Sequence, residues 1–403
     1  MTMTQERTTS FDPARLARLD KHLARYVDDG QMVGWHLAIT RHGELQHDSM
    51  YGLRDREAGL PVESDTIWRI ASMTKPIVSV AALTLWEEGV FELTDPISKW
   101  IPAFEDVRVY TKGPAAAMVT VPAIEPIRVW HLFTHTSGIT AGWMHNSIVD
   151  EAYRNAGYEF GAPEHAKSIA DCVEDWARLP LLFQPGSAWG YGNSHEVLGR
   201  LVEIWSGQRL DEALRSRVLD PLGMNDTVWW CDESRVSRLA ALYMPDGQGG
   251  ATRLPAWESV EEPAILAGGG GLLSTTSDYI RFMQMMLNEG ELDGVRILAP
   301  ATMRLMTSNH LRGDLEELST GGFAETFLEG VGFGLGVAVL IDPLASHSVA
   351  NKGEYYWGGI FGTAFWCDPV QDLSCVFMTQ LMPASAYPVR PQLRQLVYSA
   401  LIG

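Results

Sequence analysis

The sequence predicts an α+β fold, in which an antiparallel sheet built from both ends of the chain is flanked by helices and a mostly helical lobe is inserted between. Three observations lead there. Short apolar runs of strand character lie near the N-terminus and again near the C-terminus, the stretch between them reads as helix with Pro and Gly punctuation, and helical patterns open and close the chain. With 403 residues, 46% of them hydrophobic, the chain can bury a large core and form two lobes.

Taken in order, residues 11–27 place Leu16, Leu23 and Tyr26 at helical spacing and form an amphipathic opening helix. Residues 34–40 and 44–51 read as two strands joined at Arg41-His42-Gly43. A second helix begins near Ser72, runs through Ile77, Val80, Ala81 and Trp86, and stops at Gly89. Residues 104–126, with Gly113, Pro114, Pro122 and Pro126, read as a long irregular stretch. Residues 129–235 are mostly helical. A glycine run at Gly268 to Gly271 precedes a helix over 278–287, and the run reads as a source of backbone flexibility. Residues 334–341, 362–367 and 373–380 read as adjacent antiparallel strands, and 387–402 as a closing helix. The expected division is a tail at 1–10 and one catalytic domain at 11–403. Its α/β lobe takes about 11–70 and 265–403, and its helical lobe about 71–264.

Composition removes several functions. Lys+Arg number 31 against 50 Asp+Glu, a net charge of -19, so the basic face that a nucleic-acid binder needs is not expected. Cys172, Cys231, Cys367 and Cys375 form no CxxC pair and read as free thiols of a reducing compartment. No run of about 18 apolar residues would cross a membrane, and residues 1–13 show no secretory pattern, so a cytoplasmic protein is expected. His131 and His135 stand four apart without a third ligand. They read as packed or capping histidines, and neither a metal nor a cofactor is expected.

Among chemical motifs, no Ser has Gly at both −2 and +2, His195-Glu196 does not continue to HExxH, and no lysine follows the glycine run as a phosphate loop would require. Ser72-Met73-Thr74-Lys75 is present. On a helix this spacing puts hydroxyl and ammonium on one face, one turn apart. A buried lysine loses basicity through desolvation and can share a proton with the hydroxyl. The positive end of the helix dipole favours charge developing on Ser72. Tyr191-Gly192-Asn193 follows, a tyrosine able to act as general base beside a lysine cation and an amide able to bond the lysine or a substrate carbonyl. Last comes Trp357-Gly358-Gly359-Ile360, just before a predicted strand. There two glycines allow close backbone approach, and the next amide can point at an oxyanion.

In this order and at these distances the three motifs resemble the serine β-lactamase and penicillin-binding superfamily, most closely its class C-like branch and the family VIII carboxylesterases. Leu132-Phe133-Thr134-His135-Thr136-Ser137-Gly138, Pro221-Leu222-Gly223-Met224 and Gly270-Gly271-Leu272-Leu273-Ser274-Thr275 extend the likeness over nearly the whole chain. The resemblance implies a β-lactamase/transpeptidase-like fold with Ser72 as nucleophile, Lys75 as its proton partner and Tyr191 as base. It implies Asn193 as a substrate contact, with the N–H groups of Ser72 and Ile360 as oxyanion hole. Where penicillin-recognising members carry K-T-G or H-x-G, this chain has Trp357-Gly358-Gly359, so the cation that grips a substrate carboxylate is replaced by an apolar wall. The resemblance therefore implies a serine carboxylesterase acting on short-to-medium acyl esters. The alternatives are acyl transfer to an alcohol acceptor, β-lactam or amide hydrolysis on the same scaffold, and, least favoured, a non-catalytic binding module. The expected partner is a small-molecule ester, with an alcohol acyl acceptor as the alternative.

Overall fold

The computed structural model describes residues 10–160, 163, 165, 166, 168–254, 259–321, 326 and 328–402. The opening helix α1 (Pro13–Asp28) starts where Asp12 accepts the N–H groups of Ala14 and Arg15, and Pro13 occupies the first helical position. Strands β1 (Gly34–Arg41), β2 (Glu44–Asp55) and β3 (Leu60–Pro61) follow. After the intervening lobe the chain adds the remaining strands of the sheet: β4 (Val331–Phe333), β5 (Ala338–Leu340), β6 (Tyr355–Gly358), β7 (Ala364–Asp368) and β8 (Leu373–Thr379). Here α2 spans Thr74–Glu87, and α3 (Ser194–Ser206), α4 (Thr276–Leu287) and α5 (Val389–Ala400) complete the frame used below.

These eight strands form one antiparallel sheet in the order β4-β5-β6-β7-β8-β1-β2-β3. The two ends of the chain meet at its centre, where β1 pairs with β8 from Trp35↔Thr379 to Arg41↔Leu373. All eight residues of β1 are buried because both faces are covered. Trp35, Leu37 and Ile39 pack with Leu19 and Leu23 of α1 and Leu393 and Val397 of α5. On the other face Ala38 joins Tyr279 and Phe282 of α4 and the larger core that extends through α2 and α3.

The structure departs from the sequence expectations in places. Residues 104–126 are not irregular: Arg108–Lys112 and Val119–Pro122 pair as a ribbon, fastened by Arg108 bonding the side chain and carbonyl of Thr120. The expected strand over 334–341 is a hairpin of β4 and β5, turned at residues 334–337. The Trp357–Ile360 motif precedes a strand as expected, β7, but its first two residues also end the strand before it, β6. Among the described residues no helix is long and apolar enough to cross a membrane.

Candidate active site

Ser72 sits in a short 3-10 turn (Ala71–Met73) that feeds α2. Ala71 before it has φ 46°, a left-handed conformation that costs a non-glycine residue about 1–2 kcal/mol. Hydrogen bonds from several elements hold the turn. The Tyr279 hydroxyl donates to Met73 O at 3.0 Å, Thr363 Oγ1 donates to Ile70 O at 3.2 Å, and Leu272 N–H donates to Thr74 Oγ1 at 3.1 Å.

Lys75, 2% exposed, donates to Ser72 Oγ at 3.2 Å and to the carbonyl of Gly269 at 2.5 Å, and lies 4.6 Å from the ring centre of Tyr191. The predicted proximity of Ser72, Lys75 and Tyr191 is therefore present, although the lysine bonds Gly269 and not the amide of Asn193. The indole Nε1–H of Trp357 donates to the Tyr191 hydroxyl at 3.3 Å and fixes its position. Behind Tyr191 lies His135, its ring centre 4.5 Å away, and then His195. Burial holds both imidazoles far below their usual range. The charge of Lys75 adds to this for each, and His195 adds to it for His135, so both are neutral packing groups. His131 caps its own turn by accepting the Arg128 N–H, and burial lowers its imidazole to about 4.

Gly358 and Gly359 are set by close approach. A Cβ on Gly359 would lie 2.5 Å from Ile70 O and 2.4 Å from Thr363 Oγ1, and one on Gly358 would lie 2.7 Å from the Arg390 guanidinium. Neither the Ser72 N–H nor the Ile360 N–H finds an acceptor among the described residues. Ser72, Lys75, Tyr191, Asn193, Trp357, Gly358 and Ile360 line one cavity of about 640 Å³, with Gly359 directly behind its wall. Aromatic side chains, among them Trp143, Tyr158 and Trp176 of the helical lobe, make much of that wall apolar.

The glycine run is not a flexible hinge. A Cβ on Gly268 would lie 2.7 Å from His195 O, on Gly269 2.2 Å from Glu196 Oε1, and on Gly271 2.7 Å from the Trp229 indole. The run lets a backbone pass close beneath Lys75 and present Gly269 O to it. Sequence reasoning missed Glu196, which also lines the cavity. Burial pushes its carboxyl up, while Lys75 and the Gly269 N–H pull it back. It missed Arg390 too. No motif marks either, because tertiary approach alone brings them to the site. Among the described residues no group of three His, Cys, Asp or Glu side chains is arranged to hold a metal.

The sheet, the helical lobe and the cavity between them define a β-lactamase-like architecture. The chain belongs to the beta-lactamase family, whose model matches residues 19–399. It is 32% identical over 410 residues to Esterase EstB of Burkholderia gladioli, covering 97% of each chain. It is 34% identical over 360 residues to Protein Rv1367c of Mycobacterium tuberculosis, covering 88% of each. Among solved structures it is similar to EstCE1, described as a hydrolase with promiscuous acyltransferase activity, with a TM-score of 0.80 and 26% identity over 96% of this chain and 99% of that one.

Proposed function

We propose that the protein is a serine carboxylesterase of the family VIII kind, which cleaves small-molecule esters through an acyl-Ser72 intermediate. The observation that carries this is the hydrogen bond from Lys75 to Ser72 in a cavity also walled by Tyr191. The likeness to Esterase EstB and to EstCE1 supports the same chemistry. Ser72 Oγ attacks the ester carbonyl carbon while its proton passes to the Lys75–Tyr191 pair. The N–H groups of Ser72 and Ile360 hold the oxyanion. Collapse breaks the C–O bond, and the leaving alkoxide takes the proton from the pair. Water, deprotonated by the same pair, then attacks the acyl carbon, the acyl–Oγ bond breaks, and Ser72 Oγ takes the proton back as the acid leaves. Asn193 contacts the substrate.

Trp357 spends its N–H on Tyr191 and offers no cation to a substrate carboxylate. Ester hydrolysis is therefore favoured over β-lactam hydrolysis. Transfer of the acyl group to an alcohol is the second reading, favoured by the size of the cavity and by the activity described for EstCE1. The four cysteines are buried and free, which fits a reducing compartment, and we assign the protein to the cytoplasm on that ground.

The test compares wild type with Ser72→Ala on p-nitrophenyl esters of rising acyl length, with and without an alcohol acceptor, and on nitrocefin. Ser72→Ala is expected to lose about 10³-fold or more in kcat with its fold retained. Near-normal turnover in Ser72→Ala moves the nucleophile elsewhere, and nitrocefin turnover equal to that of p-nitrophenyl acetate refutes the esterase subclass.

A further inference from the structure

The peptide unit that carries the Ile360 N–H is gripped from behind. Arg390 stands in the first turn of α5, at the far end of the sequence from the nucleophile turn. Its guanidinium Nη2 donates to Gly359 O at 2.6 Å and to Thr363 O at 2.8 Å. Gly359 O also accepts the Gly362 N–H at 3.0 Å. Two donors thus converge on the carbonyl of the Gly359–Ile360 amide, and one of them is a full positive charge.

A trans amide points its carbonyl and its N–H in opposite directions. The Gly359–Ile360 peptide is trans. With Gly359 O turned to Arg390, the Ile360 N–H is turned away from it. Gly359 itself rests on Ile70 O and on Ala71, the residues just before Ser72. A charged donor on the carbonyl draws electron density through the amide and leaves its N–H a stronger donor, the cooperative effect seen along chains of hydrogen bonds. Arginine stays protonated across the working pH range, so the polarisation is permanent. The second contact, to Thr363 O, ties the same guanidinium to the residue whose hydroxyl bonds Ile70 O. One side chain therefore braces the strand end, the turn after it and the approach to the nucleophile.

We propose that Arg390 is a positioning residue for acyl transfer, fixing and polarising the Gly359–Ile360 peptide so that Ile360 presents a strengthened N–H to the oxyanion. This rests on the reading of Ser72 and Ile360 as oxyanion donors. Arg390 also lines the cavity, but its proposed role is exercised through the amide that it holds.

The test uses Arg390→Met, which keeps an apolar stem without charge or donors, and Arg390→Lys, which keeps both. One portion of each is labelled to completion with a fluorophosphonate to count competent sites, and a separate unlabelled portion is assayed on p-nitrophenyl butyrate. Arg390→Met is expected to lose about 10–100-fold in kcat per labelled site, less than outright removal of an oxyanion donor. KM should stay within about twofold of wild type, because ground-state binding does not use the amide. Affinity for a trifluoromethyl ketone, which forms a tetrahedral adduct, should fall in parallel with kcat. Arg390→Lys should recover most of the loss.

A merely structural brace gives a different result: fewer labelled sites and a lower Tm, with kcat per labelled site unchanged, and that overturns the proposal. If Arg390→Met does not fold, Arg390→Gln carries the same test, since it keeps an amide donor but no charge, and unchanged kcat per site overturns the proposal equally. Ser72→Ala assayed alongside separates the two failures. Turnover retained there overturns the site and this proposal together. An inactive Ser72→Ala with unchanged Arg390 variants overturns the role of Arg390 alone.

Discussion

At the scale of single residues the site turns on how Lys75 is occupied. Its Nζ bonds Ser72 Oγ and Gly269 O and faces the Tyr191 ring, so a lysine–tyrosine pair holding one proton fewer than ammonium plus phenol could take the proton that leaves the serine, on the amine or on the phenolate. If lysine and tyrosine share that proton as a unit, removing either disables both. Tyr191→Phe and Lys75→Ala should each lower kcat by about 10²–10⁴-fold, and the double variant should be little slower than the worse single one. Steady-state kcat of the four proteins on one p-nitrophenyl ester decides it, and losses that multiply would mean the two residues act independently. These residues were legible in the sequence because serine chemistry needs a hydroxyl, a cation and a base at intervals that a helix and a turn can satisfy. Glu196 and Arg390 were not. One meets the site through the packing of α3 on the glycine run, the other through the docking of α5 on β6, and neither approach leaves a spacing to read.

At the scale of elements, the loop holding Gly268 to Gly271 shows why a residue type can be read correctly and its purpose wrongly. Glycine frequency suggests flexibility, whereas the neighbours show that there is no room for side chains. The two purposes differ in their predictions. Gly269→Ala drives a methyl into the Glu196 carboxyl and shifts the carbonyl that Lys75 uses. It should lower kcat at least tenfold and cost about 1–3 kcal/mol in urea unfolding. Gly270→Ala meets nothing closer than 3.9 Å and should be close to neutral in both assays. A hinge would suffer similarly from either substitution. The ribbon of Arg108–Lys112 and Val119–Pro122 escaped the sequence for a related reason: Gly113, Pro114 and Pro122 signal a loop, yet the first two lie in the turn between the strands and Pro122 closes the second strand. By contrast β1, β2, β7 and β8 carry long apolar or alternating runs and were located to within a few residues.

At the scale of the whole molecule, burial of ionisable groups sets the dependence of stability on pH. His131 titrates at about 4 when folded and near 6.5 when unfolded, so as pH falls the unfolded chain takes the proton first. Its contribution is complete above pH 6.5 and is lost as pH falls toward 4, by about 3 kcal/mol. Asp278, raised to about 6 by burial, works in the opposite sense between about pH 4 and 6, so the pH dependence of the wild type alone does not isolate either group. The difference between variants does. His131→Gln should be less stable than wild type at pH 7, and that deficit should shrink by about 3 kcal/mol between pH 7 and pH 4 in urea melts. A deficit constant with pH would mean that His131 titrates alike in the folded and the unfolded chain. That the sheet draws on both ends of the chain was legible from strand-like runs at the two extremes. The neighbours β1 with β2 and β7 with β8 were legible as well, whereas the pairing of β1 with β8 was not, because nothing local in either run marks a partner at the other end of the chain.

The pairing of β1 with β8 also dictates when the protein becomes an enzyme during its synthesis. A strand completed early in translation has no partner on its β8 side until the ribosome has delivered residues 373–379, so β1, which the fold buries on both faces, needs shelter for nearly the whole of elongation. Arg390 emerges later still. On the roles proposed above, Ser72, Lys75 and Tyr191 are made long before Arg390, so a nascent chain would hold its nucleophile before the side chain that steadies the Gly359–Ile360 peptide and would not yet cleave esters at the full rate. Closure over so many residues places this fold among the slow ones, and trigger-type chaperones that cover exposed strands should matter more to its yield than to that of a protein whose sheet is built from consecutive segments.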